Sequence, residues 1–176
     1  MRLSCTSFFR RLCWLPGLAV LGLPLAHAVE RADLESAILY NLLQYVEWPA
    51  EALPAAGGAL VLCLAQGSPL RGPVKSLEGR PVGPLRLAVR TLEPAEAPHG
   101  CHALFIDGEP PARHRPPRAT ALLLIGDGPA QPDDGITIRL AQADGRMVFE
   151  IDLVEAREAR LQVSSRLLRL ARKVTG

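Results

Sequence analysis

Three uninterrupted apolar runs constrain this chain more than any other feature: Ala59-Leu60-Val61-Leu62-Cys63-Leu64, Ala103-Leu104-Phe105-Ile106 after His102, and Ala121-Leu122-Leu123-Leu124-Ile125. A strand with no polar face has to be covered on both sides, which is the condition of strands in a parallel sheet flanked by helices. Between the runs, Pro69 to Leu77 suits a short helix, and Pro84 to Leu92 alternates Leu85, Leu87 and Val89 with Arg86, Ala88 and Arg90, as a half-buried strand does. The order strand, helix, strand, then strand, connection, strand favours parallel pairs. Downstream, Ile136, Ile138 and Leu140 alternate with polar or small residues, Asp144-Gly145 supplies a turn, and Met147, Phe149, Ile151 and Leu153 alternate back. That pattern predicts a β-hairpin with one apolar face.

Helical periodicity marks both ends. Leu34, Ile38, Leu42, Tyr45 and Val46 recur at helical spacing, with Leu39 and Leu43 widening the stripe, so a helix is expected over Asp33 to Glu47, stopped by Trp48-Pro49. Tyr40 falls on the polar arc with Gln44 and Glu47, where a ring is either a contact residue or packed under a loop. At the other end Val163, Leu167, Leu170 and Val174 form one narrow stripe, predicting a second amphipathic helix capped by Ser164 or Ser165. Arg166, Arg169, Arg172 and Lys173 lie on its other side, either complementing the helix dipole or facing an acidic partner. The proline-rich stretch Pro110 to Pro117 reads as a loop. The expectation is therefore an α/β fold: a single-domain mixed β-sheet of about six strands flanked by helices, with N-terminal and C-terminal amphipathic helices.

The first segment reads as a targeting sequence. Arg2, Arg10 and Arg11 precede the apolar run Leu12 to Leu25, and Ala26-His27-Ala28 has the small-x-small pattern of a cleavage site. The organisation expected is 1–28 signal peptide and 29–176 exported periplasmic domain, cleaved after Ala28, with an uncleaved anchor as the alternative. Without the leader's three arginines, seventeen basic residues face eighteen acids, a net charge near −1. Nucleic acid is thus a poorly supported partner. Cys5 and Cys13 leave with the leader, so Cys63 and Cys101 are the only thiols in an oxidising compartment, and a disulfide between them is expected.

Catalytic signatures are missing. The sequence has no Gly-x-Ser-x-Gly elbow, no phosphate-binding Gly-x-x-x-x-Gly-Lys-Ser/Thr loop and no His-Glu-x-x-His. Gly126-Asp127-Gly128 follows a strand but lacks the third glycine of a dinucleotide site, and a β-turn explains it. The cluster His99-Gly100-Cys101-His102, with Cys63, leaves copper or zinc open beside the disulfide, although its spacing matches no standard metal motif. Glu150 and Asp152 share a strand face that solvent accounts for. No cofactor, no metal and no enzymatic activity are expected.

Several segments together resemble the YfiR family of periplasmic proteins, also described as a domain of unknown function. They are Ala37-Ile38-Leu39-Tyr40-Asn41 running into Tyr45-Val46-Glu47-Trp48-Pro49, then Leu62-Cys63-Leu64, Cys101 to Ile106, Leu124-Ile125-Gly126-Asp127, Met147 to Leu153, and Leu161 to Ala171. They keep the family's order across Asp33 to Val174. The resemblance implies a dimerising periplasmic regulator that binds the periplasmic domain of an inner-membrane diguanylate cyclase and holds it inactive, lowering cyclic di-GMP and biofilm formation. It further implies that an outer-membrane lipoprotein can sequester the regulator. Tyr40, Glu47 and Trp48 are the family-specific candidates for protein binding, with helix packing and helix termination as the competing reading for Trp48. Asp152 stands where family members commonly have asparagine, and a second cysteine pair found in some members is absent here. The alternative function is a periplasmic sensory or ligand-binding accessory module for a TonB-type receptor or histidine kinase.

Overall fold

The computed structural model describes residues 24–108, 120–131 and 134–176. The expected signal peptide lies largely outside these residues, as does the loop expected at Pro110 to Pro117. Helix α1 (Pro24–Leu43) carries the anticipated cleavage point within its first turns. It is followed by β1 (Val46–Glu47), β2 (Ala59–Ala65), α2 (Arg71–Lys75), β3 (Pro81–Val82), β4 (Leu85–Leu92), β5 (Ala103–Ile106) and β6 (Leu123–Gly126). The chain then runs through β7 (Ile138–Ala143), β8 (Arg146–Asp152), α3 (Leu153–Glu158), β9 (Gln162–Val163), α4 (Ser165–Leu170) and β10 (Lys173–Thr175).

An α/β fold is what the apolar runs demand, and it is what forms. The main sheet has eight strands among the described residues, in the order β10-β8-β7-β6-β5-β2-β4-β3, with β4, β2, β5, β6 and β7 mutually parallel. The two strands beyond the expected six are the short edge strands β3, antiparallel to β4, and β10, parallel to β8. After β2 the chain places β4 on one side, then crosses back to lay β5 on the other, so the winding direction reverses at β2 and β5. In β2 the even residues Leu60, Leu62 and Leu64 join Leu87, Phe105, Ile125 and Ile138 on the face packed against α1 and α2. The odd residue Cys63 joins Leu92, Leu104, Ile106, Leu122, Leu124 and Ile136 in a smaller cluster on the opposite face. Each such leucine removed from water contributes roughly 1.5 to 3 kcal/mol.

The hairpin forms in the expected register, Leu140 opposite Phe149 and Ile138 opposite Ile151. Its turn needs two left-handed residues, and Asp144 and Gly145 adopt φ of 50° and 73°. Gly128 answers to close approach as well as to a turn: a Cβ there would lie 2.1 Å from the Gly108 carbonyl oxygen.

Three expectations are corrected. First, α1 stops at Leu43, and Val46 and Glu47 form a two-stranded ribbon with β9, pairing Val46 with Val163 and Glu47 with Gln162. Its buried arc is centred on Leu39, Leu42 and Leu43, leaving Leu34 51% exposed. The same arc takes in Glu35, whose carboxylate is held by Arg31 Nε at 2.7 Å. Second, β8 ends at Asp152, and Leu153 begins α3. Asp152 Oδ1 accepts from the amides of Val154 at 2.8 Å and Glu155 at 3.1 Å, capping the helix. Third, the C-terminal stripe is not one helix. Ser164 caps α4, its Oγ accepting from the Leu167 amide at 3.2 Å, but the backbone turns extended at Ala171 and β10 follows. Only Leu167 of the stripe is buried, while Leu170 and Val174 are exposed. The unpaired edge of β8 supplies the reason: Lys173, Val174 and Thr175 lie opposite Glu150, Ile151 and Asp152, and Arg172 pairs with the Glu150 carboxylate.

Candidate functional site

The corner where α1 gives way to the sheet gathers most of the residues singled out by sequence. Ser164 N–H donates to the Tyr45 carbonyl at 2.9 Å, which fixes the β1–β9 ribbon against the end of the helix. Arg166 lies 5.5 Å over the Tyr45 ring centre, an exposed cation–π contact from α4 to the same corner. Tyr40 sits half-buried, its hydroxyl donating to the Pro81 carbonyl at 2.7 Å and its ring under the Arg80 guanidinium at 5.6 Å. Gln44, just past the end of α1, donates through Nε2 to the same carbonyl at 2.9 Å, so Tyr40 and Gln44 together tie down the β3 edge. Glu47 is exposed on the ribbon. Trp48 is buried at 8% exposure, and its indole N–H donates to the His102 carbonyl at 3.0 Å. Of the three candidate contact residues, Glu47 and the rim of Tyr40 are therefore the parts that face solvent, while Trp48 pins the corner to the sheet.

His102 is engaged on both sides. The Val61 amide donates to Nδ1 at 3.0 Å, which requires the proton on Nε2, and Nε2 donates to the Ala52 carbonyl at 3.1 Å. Burial holds this imidazole below its ordinary pKa, the bond to the Ala52 carbonyl acting in the opposite sense. Cys63 and Cys101 are joined in a disulfide with Cα atoms 5.9 Å apart. The Arg90 guanidinium lies beside it, Nη2 donating to the His99 carbonyl at 2.6 Å and approaching Cys101 Sγ at 3.2 Å. With both sulfurs bonded to each other and both nitrogens of His102 bonded to backbone, the cluster weighed for copper or zinc keeps only the exposed His99 imidazole as a donor. Among the described residues no group of three or more His, Cys, Asp or Glu side chains is arranged to hold a metal ion.

A second polar group lies at the carboxyl ends of the parallel strands; sequence reasoning reads Asp127 only as part of a turn and does not single out Asp107. Asp107 follows β5 and Asp127 follows β6. Ser68 Oγ donates to Asp107 Oδ1 at 2.9 Å, and Asp127 Oδ1 accepts from the Gly108 amide at 2.6 Å. Two buried strands that each end near an Asp-Gly step, Asp107-Gly108 and Asp127-Gly128, were the available signal.

No curated protein matches the chain significantly. A protein-family model described as YfiR/HmsC-like matches residues 32–172 of the 176, a span that holds the main sheet except β10, the disulfide and the α1 corner. On that match the chain belongs to the YfiR/HmsC-like family.

Proposed function

We propose that this protein is a periplasmic repressor that binds the periplasmic domain of an inner-membrane diguanylate cyclase, modulating cyclic di-GMP signalling and biofilm formation. The observation that carries the reading is the family match over residues 32–172. The family's role is regulatory, in the diguanylate cyclase pathway, and its members are periplasmic regulators, not catalysts. The chemistry described above agrees with a docking function, because the half-buried His102 spends both ring nitrogens on backbone groups. No helix among the described residues is long and apolar enough to cross a membrane.

Repression works through differential affinity: the regulator has to bind the inactive state of the cyclase more tightly than the active one. The exposed carboxylate of Glu47 and the rim of Tyr40 are the contact groups in this reading. A homodimer and release by an outer-membrane lipoprotein complete it. Deleting the gene while leaving the cyclase intact raises cellular cyclic di-GMP if the reading holds, and Glu47→Arg reproduces that rise with an unchanged unfolding midpoint. Unaltered cyclic di-GMP in the deletion strain refutes it.

A further inference from the structure

We infer that the C-terminal segment, residues 164–176, is a docking surface for an anionic phospholipid bilayer, held by arginine–phosphate contacts and by the exposed side chains of Leu170 and Val174. This goes beyond the cyclase reading and does not depend on it. Charge, placement and shape support it separately.

Residues 164–176 hold Arg166, Arg169, Arg172 and Lys173 and no acid. Residues 29–163 hold thirteen basic residues against all eighteen acids. With the expected leader removed, the side-chain charge is thus lopsided, +4 on this segment and −5 on the body, and an anionic plane draws such a molecule in by one end. Little of the positive charge is neutralised within the fold. Arg172 pairs with Glu150 and Arg166 lies over the Tyr45 ring, whereas Arg169 and Lys173 have no carboxylate partner among the described residues. Glu47, exposed opposite Gln162, belongs to the ribbon before the segment and leaves its four charges in excess.

Placement follows from α4 and β10. Leu167 is the buried anchor of α4, and Arg166, Arg169 and Leu170 all lie exposed on the rest of its surface. β10 is an outermost strand, and its Val174 stands opposite Ile151, which shares a core cluster with Leu167. Val174 is therefore carried on the same side of the sheet as α4. Leu170 and Val174, 63% and 40% exposed, project from that side at the sheet's edge, with arginines beside them.

Shape separates lipid from protein. A protein interface sets a contiguous apolar core inside a polar rim. Here the two apolar side chains stand singly among arginines, on the outside of a short helix and an edge strand. A bilayer surface suits that arrangement, because isolated apolar side chains enter the boundary between headgroups and acyl chains while basic residues meet the headgroups. Three of the four basic residues are arginine, whose planar fork matches phosphate in paired hydrogen bonds. A second copy of this segment would bring like charge against like.

Co-sedimentation of the purified mature chain with vesicles of equal parts phosphatidylglycerol and phosphatidylcholine, and with phosphatidylcholine alone, tests the surface. Binding to the anionic vesicles, weakening as salt rises, and none to the neutral ones is expected. A basic residue at such a surface is worth roughly fivefold in affinity, so Arg166→Gln combined with Arg169→Gln should weaken binding by about tenfold or more. Arg71→Gln removes the same kind of charge from α2, which packs on β4 near the opposite edge of the sheet, and should leave binding nearly unchanged. Leu170→Ser, at an exposed position, should fold normally and weaken binding severalfold. Equal binding to both kinds of vesicle, no binding to the anionic ones at low salt, or a loss with Arg71→Gln as large as with the double variant would overturn the inference. So would undiminished binding by the double variant or by Leu170→Ser, each shown folded by circular dichroism. Soluble polyglutamate that binds as tightly as the vesicles, and regardless of Leu170, would assign the segment to an acidic protein and equally overturn it.

Discussion

Reducing the Cys63–Cys101 bond is the perturbation whose magnitude follows most directly from the structure. The link joins residues 38 apart in sequence. In the chain-entropy account, a loop of that length restricts the unfolded ensemble by about 4 kcal/mol at 25 °C. Such a loss is a large share of the roughly 5 to 15 kcal/mol that holds a typical domain. It should lower Tm by roughly 8 to 16 °C at this size. The half-cystine Cys63 is fully buried in the small cluster with Leu92 and Leu104, so a serine there would add an unsatisfied hydroxyl to the entropic loss. Comparing the oxidised wild type with the same protein in a phosphine reductant avoids that confusion. The readout is built in: the sequence has two tryptophans, Trp14 falls in the expected leader, and Trp48 is buried. Urea unfolding followed by Trp48 fluorescence should therefore report the whole difference. A loss below about 1 kcal/mol on full reduction would refute the reasoning, because it would mean the reduced unfolded chain is already restricted or the bond is strained.

Three further outcomes follow. His102 has a folded pKa below its unfolded value near 6.5, so the stability it confers is present above that pH and lost as pH falls through the folded pKa; His102→Gln should flatten urea midpoints between neutral and mildly acid pH, and an unchanged slope counts against the burial argument. Trp48→Phe removes the N–H that meets the His102 carbonyl together with part of a buried ring, and should lower stability by roughly 2 kcal/mol or more in a chemical melt followed by circular dichroism. Asp107 has a folded pKa raised above its ordinary 3.8, so the native state holds this proton more tightly and that advantage fades as pH rises through the folded value. Asp107→Asn should consequently raise the unfolding midpoint at neutral pH more than at acid pH, and a uniform loss at both would contradict it.

How far the sequence discloses this fold depends on whether a segment's pattern has one solution or two. The runs Ala59 to Leu64 and Leu123 to Ile125 have one, since nothing polar alternates in them, and both form buried parallel strands. Asp144-Gly145 likewise specifies its turn by chemistry that few other pairs supply. The C-terminal segment has two solutions. Leu167, Leu170 and Val174 satisfy a helical stripe, but Val174 and Thr175 are β-branched and suit a strand as well. The choice is made by the open edge of β8, which no local pattern announces. Val46 and Glu47 leave the helix for the same kind of reason, their partner Gln162-Val163 lying more than a hundred residues away. Asp107 was illegible for a different cause. An acid after a strand is ordinary, and only the three-dimensional convergence of β2, β4 and β5 makes it the half-buried acid beside a cavity.

That convergence also ties the cavity to the disulfide. Leu92, Leu104 and Ile106 wall the cavity and belong to the same small cluster as Cys63, and Cys63 stands directly opposite Leu104 in the β2–β5 pairing. The bond from Cys63 to Cys101 therefore fixes the start of β5 against β2, and Leu104 to Asp107 continue from that anchor to the cavity. Releasing the anchor should let β5 shift against β2, so amide exchange at Leu104 and Phe105 should quicken on reduction more than that at Ile138 and Leu140 of the hairpin. Equal protection of β5 in the two redox states would show that the strand holds its place without the bond, and the disulfide would then act on the unfolded chain alone.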